Sequence, residues 1–125
     1  MLKKTSSFKE LLVWQKAHEL VLTTYLFTKR LPHDEIEGLI KDIRMTSAAI
    51  ASRIAEGHQS ANPGRTIQYL CHGQESLNRL AYLLVLCEDL DYGSSDQIND
   101  LIEELSDLIS NAIGKTKHNL TLDFA

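Results

Sequence analysis

The polar residues most able to do chemistry lie on two predicted helical segments in the middle of the chain. If these segments fold onto each other about the connection near Ser60, Asp42 comes level with Arg79, and Arg44 comes level with the Glu75–Ser76 pair. We predict a structural polar network that fixes the register of the two helices. Its members are Asp42, Arg44, Glu56, Glu75, Ser76 and Arg79. The alternative is a ligand or RNA-phosphate site built on Arg44 and Arg53.

A stripe of basic residues at heptad spacing on the first predicted helix could follow a phosphate backbone. It contains Lys9, Lys16 and Arg30, with Lys3, Lys4 and Lys29 nearby. A solvated face is the simpler interpretation, because no aromatic residues interleave for base stacking. The formal net charge of -4 also disfavours nonspecific affinity for nucleic acid. If RNA binds, the candidate contacts are Lys9, Lys16, Arg30, Arg44 and Arg53.

The sequence favours neither a metal site nor a cofactor. Helical bundles that hold two metal ions use a Glu-x-x-His motif on two helices and a Glu on each of the others. Here His72 and Glu75 have this spacing once, in reversed order. We therefore expect no metal, no cofactor and no enzymatic activity. A small-molecule or metal-dependent enzyme with a site in the bundle core is the alternative.

Hydrophobic periodicity and capping signals predict four helices in a single domain spanning residues 1–125. Ser7 with Glu10 opens a helix over about 8–30, and Asp34 with Glu37 opens one over 34–56 that Gly57 ends as a left-handed cap. Asn62 before Pro63 opens a third helix over 63–90. Ser94 with Gln97 caps a fourth over 95–114.

The short connections predict an all-α, antiparallel up-down-up-down four-helix bundle. In the tail, residues 115–125, Leu120, Leu122 and Phe124 alternate with polar residues. This segment is either a frayed end or a short extended arm.

Two helices are more apolar than a four-helix core requires. The first carries a second apolar set outside its core stripe, and the third is apolar around its whole circumference from Leu80 to Cys87. Because large apolar patches are rarely left in contact with water, we predict a homo-oligomer. The expected interface residues are Trp14, Val21, Tyr25, Tyr82, Leu83 and Leu86.

Several features favour the cytoplasm. Cys71 and Cys87 are about 24 Å apart along one predicted helix, too far to form a disulfide bond, so reduced thiols are expected. The first residues lack the apolar run of a signal peptide, and no apolar run approaches the roughly 20 residues needed to span a bilayer. We expect no membrane association.

In order and spacing, several motifs resemble those of the bacterial four helix bundle proteins, also called 23S rRNA-intervening-sequence proteins. The motifs are Leu12-Val13-Trp14-Gln15-Lys16-Ala17, Leu31-Pro32 with Glu35 and Gly38-Leu39, Ile43-Arg44, Ile54-Ala55-Glu56-Gly57, and Ser76-Leu77 with Leu80. This chain departs from the family pattern at Arg53, Glu75 and Arg79, where the family has asparagine, glycine and glutamate. A Glu75–Arg79 pair one helical turn apart would keep the polar network structural.

The resemblance implies a homo-oligomer, a pentameric ring, encoded in some bacteria within insertions of large-subunit ribosomal RNA genes. It also implies a distant relationship to the accessory protein of diversity-generating retroelements, which binds RNA and a reverse transcriptase. We therefore expect a non-enzymatic scaffold or adaptor associated with structured RNA or with an RNA-processing protein.

Overall fold

The computed structural model describes residues 7–123, with side chains described as far as residue 120. Over this range the chain forms four α-helices and no strand. They are α1 (Leu12–Thr28), α2 (Lys41–Gln59), α3 (Pro63–Asp89) and α4 (Asp96–Asp123). The predicted all-helical class is confirmed. Lys3, Lys4 and Phe124 lie outside the described residues.

The first predicted helix begins later than expected. Phe8–Glu10 forms a separate 3-10 turn, and Leu11 is extended (φ -77°, ψ 129°) before α1 starts. The expected capping box is therefore wrong: the Ser7 hydroxyl accepts from the Lys9 amide at 3.2 Å. The Gln15 side chain fixes this bend by donating to the Lys9 carbonyl at 2.9 Å. Lys9 consequently does not share a helix with Lys16.

The entry to α2 is irregular. A 3-10 turn (His33–Glu35) and a π turn (Ile36–Ile40) occupy the segment that we predicted as the first turns of a helix. The Glu35 side chain caps this segment by accepting from the Leu39 amide at 3.2 Å. Gly38 has a non-helical backbone (φ -112°, ψ -109°). Asp34 and Glu37 thus correctly located the start of this segment in the sequence, but the side chain that caps it is that of Glu35.

Gly57 lies inside α2 and does not cap it, which corrects the predicted end at Glu56. A methyl group on Gly57 would lie 3.2 Å from Tyr69 Cβ. The glycine is therefore needed for the close approach of α3, and packing against that helix lets α2 continue to Gln59.

The start of α3 confirms its predicted cap, since Asn62 Oδ1 accepts from the amides of Gly64 (2.9 Å) and Arg65 (3.3 Å). At the start of α4 the cap is one residue later than predicted. The Ser95 hydroxyl accepts from the Ile98 amide at 3.2 Å. Between these helices, Asp91 (φ 62°) and Gly93 (φ 111°) make the tight turn.

The predicted end of the fourth helix near Gly114 is wrong, because α4 continues to Asp123. The extended arm is therefore also wrong as far as that residue. The Thr116 hydroxyl donates to the Ala112 carbonyl at 2.8 Å, and Ala112, Thr116 and Leu120 are all half-buried. Residues at this four-residue spacing share a helix face. The alternation of apolar and polar residues at the end of the sequence suggested an extended segment instead.

In the bundle, α1 and α3 each pack against both α2 and α4. Thr66 in α3 donates to the Gly57 carbonyl in α2 at 3.0 Å, and farther along Arg79 pairs with Asp42 at 3.3 Å. The fully buried large apolar side chains come from all four helices: Leu20, Ile43, Ile50, Ile54, Leu77, Leu80, Ile98, Leu105 and Ile109. Of the helices described, none is both long and apolar enough to cross a membrane.

Candidate functional site

The predicted polar network divides into separate contacts. Arg79 Nη2 lies 3.3 Å from Asp42 Oδ2, and Arg53 Nη1 lies 3.3 Å from Glu56 Oε1. Both pairs are exposed. Glu75 does not pair with Arg79 or with any other residue in the described part of the chain. Glu75 and Ser76 instead line an open depression together with Arg53, His72 and Arg79.

Arg44 lies against α1, on the other side of α2 from these residues. Its Nε donates to the Thr28 hydroxyl at 2.8 Å, and its guanidinium lies 4.6 Å from the centre of the Tyr25 ring. Nη2 also donates to the Tyr25 carbonyl at 3.4 Å. The buried Thr28 hydroxyl donates to the Tyr25 carbonyl at 3.0 Å, and Arg44 adds the bond that this hydroxyl accepts. Arg44 therefore fastens α2 to α1 and is not brought to Glu75 and Ser76.

The remaining candidate RNA contacts do not form one surface. Lys16 lies 3.6 Å from both Glu19 in its own helix and Glu104 in α4. Arg30 stacks on the Phe27 ring at 5.0 Å and donates to the Ser94 carbonyl at 3.4 Å. Lys9 lies in the 3-10 turn (Phe8–Glu10) that precedes α1. The heptad stripe seen in the sequence is thus interrupted, and its two members in the bundle have intramolecular partners.

A groove between α2 and α3 gathers basic residues that sequence reasoning did not group. We name it the α2–α3 groove and define it by Arg53, Arg65, Tyr69, His72 and Arg79. Three neighbouring depressions form it: Arg65 and Tyr69 line the first two, and Arg53 and His72 line the last two. The signal was present, because Arg65, His72 and Arg79 recur every seven residues.

The predicted interface residues differ in exposure. Tyr25 and Tyr82 are exposed (40% and 62%), and Trp14, Val21 and Leu86 are half-buried against the core. Leu83 is only 5% exposed, so it belongs to the core of the single chain, which corrects its assignment to a subunit contact.

Several exposed apolar side chains were not predicted. Leu12 (55%), Leu22 (54%) and Leu26 (65%) project from the outer side of α1, and we name them the α1 ridge. On α2 and α3, Met45 (62%) and Val85 (54%) are similarly exposed. The direction in which each helix meets its neighbours decided which apolar residues stay outside.

Two groups near Glu35, the Tyr92 hydroxyl and the Cys87 thiol, have raised pKa values. The Tyr92 hydroxyl donates to Glu35 Oε2 at 2.9 Å, and this bond to a carboxylate raises the pKa of Tyr92. Burial, and then the charge of Glu35, raise the pKa of the Cys87 thiol. A thiol with a raised pKa is a poor nucleophile, so Cys87 behaves as a small apolar core residue.

A cavity of about 70 Å³ lies beside Phe27, Leu84 and Ile98, well below the roughly 300 Å³ at which small-molecule pockets begin. Among the described residues, no three His, Cys, Asp or Glu side chains are grouped so that they could hold a metal ion.

Comparison with known proteins gives one assignment. A search of curated proteins gives no match. Residues 9–114 match the family model described as 23S rRNA-intervening sequence protein. This segment extends from the 3-10 turn before α1 into α4, and it contains every motif on which the resemblance rests. The chain belongs to the 23S rRNA-intervening sequence protein family.

Proposed function

We propose that the protein is a non-enzymatic, homo-oligomeric scaffold or adaptor of the cytoplasm that associates with RNA. Each subunit is an antiparallel up-down-up-down bundle without a cofactor, and the assembly is a ring of five. The order of the contacts supports this helix direction. Between α2 and α3, Gly57 contacts Thr66, whereas the earlier Asp42 contacts the later Arg79. Lys16 in α1 contacts Glu104 in α4, whereas Arg30, after α1, contacts Ser94, before α4. The partner is a structured RNA or an RNA-processing protein.

The α1 ridge carries the oligomer proposal. Leu22 and Leu26 are one helical turn apart on the side of α1 that faces away from the core, and both are more than half exposed. Full burial of a leucine side chain contributes about 1.5–3 kcal/mol. Leu22 and Leu26 are already partly buried, so covering the rest of them in a second subunit would add part of this energy and favour assembly.

The family description supports RNA association, because it names a ribosomal RNA. The net charge of -4 requires that binding be confined to a local basic surface. Retention of a structured ribosomal RNA fragment should therefore be strong at low salt and fall steeply as salt is added. Absence of retention at low salt would remove RNA from the proposal.

Light scattering tests the oligomer. We expect a mass that is a multiple of the 14.1 kDa monomer, and we expect Leu22→Ser combined with Leu26→Ser to reduce it while the helix content stays unchanged. A matched control is Ile36→Ser combined with Leu90→Ser. This control removes two apolar side chains that are also exposed (41% and 45%) but lie outside α1. A monomeric mass for the unmodified protein would refute the assembly.

A further inference from the structure

We propose that the α2–α3 groove binds the phosphodiester backbone of single-stranded RNA. The inference rests on the RNA association proposed above and identifies the surface responsible. It replaces the basic stripe of the first helix as the expected binding surface. The Lys16 side chain is only 28% exposed and lies beside two carboxylates, whereas Arg53 and Arg79 are 44% and 59% exposed and each has one.

The groove has the dimensions of a strand-binding site. Arg65, His72 and Arg79 follow one another at seven-residue intervals, about 10 Å per step and about 21 Å in all. Arg53 faces the same groove from α2. Sequence-independent sites for single strands combine such a basic track with aromatic side chains, and Tyr69 supplies an aromatic ring here.

The arginines of the groove are available to an anion. Within the described part of the chain no carboxylate pairs with Arg65, whose guanidinium lies 6.0 Å from the Tyr69 ring centre. Arg53 and Arg79 do have carboxylate partners, but the side chains of both pairs are between 44% and 59% exposed. Exposed ion pairs of this kind are weak, so a phosphate oxygen can take the place of the carboxylate.

The carboxylates in and beside the groove favour a flexible ligand over a rigid one. Glu56 and Glu75 lie among the basic residues and repel any anion placed next to them. A single strand can adjust its torsions so that its phosphates lie beside the arginines. The exposed acidic face of α4 in a second subunit (Asp96, Asp100, Glu103 and Asp107) is also anionic, but its carboxylates are fixed on a helix. Single-stranded RNA therefore fits the groove better.

Fluorescence anisotropy with a labelled oligouridylate of about 15 nucleotides tests the proposal. The test variant combines Arg65→Gln with Arg79→Gln in the full-length protein. The matched control combines Lys41→Gln with Lys115→Gln, which removes the same charge from exposed positions that do not line the groove, and Lys41, like Arg79, is in an exposed ion pair. Circular dichroism checks folding, and Arg65→Gln alone, which breaks no ion pair, provides a second test.

We expect the groove variant to raise Kd by about tenfold or more at low salt. The plot of the logarithm of the association constant against the logarithm of salt concentration should become less steep by about 1.4. Each phosphate contact to a single strand contributes about 0.7 to this steepness, and two arginines are removed. Arg65→Gln alone should reduce the slope by about half as much. The control variant should change Kd by less than about threefold and leave the slope unchanged.

The possible failures are distinguishable. If the unmodified protein does not bind the oligouridylate, the groove inference is refuted. RNA association itself fails only if structured ribosomal RNA is not retained either. If the unmodified protein binds and the groove variant binds equally well, RNA association survives and the groove is the wrong surface. Equal losses in the groove and control variants would indicate a general charge effect. If the groove variant instead loses oligomer mass while RNA binding is unchanged, the groove binds the acidic α4 face of a second subunit.

Discussion

The Tyr92 hydroxyl donates a hydrogen bond to Glu35 Oε2 at 2.9 Å, while Glu35 Oε1 accepts from the Leu39 amide at 3.2 Å. One carboxylate thereby joins the turn between α3 and α4 to the irregular segment that leads into α2. The two turns are 57 residues apart in sequence. This link is one of the polar contacts that join the two halves of the bundle.

Stability should depend on the protonation of Tyr92 at alkaline pH. The bond to Glu35 raises the pKa of the folded protein's Tyr92 above the ordinary value of 10.0. The folded state then holds the proton more tightly than the unfolded state, so the stabilisation is complete below pH 10.0 and is lost as pH rises through the higher, folded pKa. Urea unfolding midpoints across this range should fall more steeply for the unmodified protein than for Tyr92→Phe.

The raised pKa of Cys87 makes stability fall with rising pH in both proteins, and the Cys87 charge is the last and smallest cause of the raised Tyr92 pKa, so the difference between the proteins reports mainly Tyr92. A phenolate absorbance titration of the two proteins would give the pKa directly. Identical slopes of stability against pH would contradict the role of the hydrogen bond.

Leu83→Ala should destabilise the single chain. Its side chain is 5% exposed in the core, and truncating a buried leucine costs about 2–5 kcal/mol. Tyr82→Ala, at the neighbouring exposed position, should cost less than about 1 kcal/mol. Urea unfolding measures both. A Leu83→Ala protein that dissociates but unfolds at the normal midpoint would restore Leu83 to a subunit contact.

Gly73→Ala should stabilise the bundle by about 0.5–1 kcal/mol, because a helix-interior alanine loses less backbone entropy than glycine on folding. The added methyl group would lie 3.8 Å from Arg53 Cβ, an ordinary contact. Gly57→Ala should lose this gain, since its methyl group would lie 3.2 Å from Tyr69 Cβ. Thermal unfolding compares the two variants. Gly114→Ala, which has open space around it, gives the gain expected without packing effects.

Arg44→Lys should lower stability by about 1–2 kcal/mol and leave RNA binding unchanged. Lysine keeps the charge but cannot both bond the buried Thr28 hydroxyl and stack on the Tyr25 ring as the guanidinium does. Arg53→Lys, in an exposed ion pair, should change stability by less than about 0.5 kcal/mol. Chemical unfolding and oligouridylate binding of both variants are the measurements. Loss of RNA binding in Arg44→Lys without loss of stability would show that Arg44 contacts RNA and does not serve to hold α2 against α1.

Local signals in the sequence determined the number of helices, the Asn62–Pro63 start of α3 and the family. Helical period and capping depend on residues within a turn or two of each other, so sequence reports them directly. The same locality explains the pairing of Asp42 with Arg79: once two helices are joined by a short connection, the rise of 1.5 Å per residue fixes which residues come level.

Only the tertiary structure decided which side of each helix is covered. The circumference of α3 from Leu80 to Cys87 is almost entirely apolar, so periodicity could not tell that Leu83 lies inside while Tyr82 and Val85 lie outside. Arg44 turns to α1, where it contacts Thr28 and Tyr25, and does not face α3 as its place in the sequence suggested. Gly57 is helical because Tyr69 packs against it, although glycine at a helix end usually signals a cap. In each case residues distant in sequence compete for one face, and their positions follow from packing.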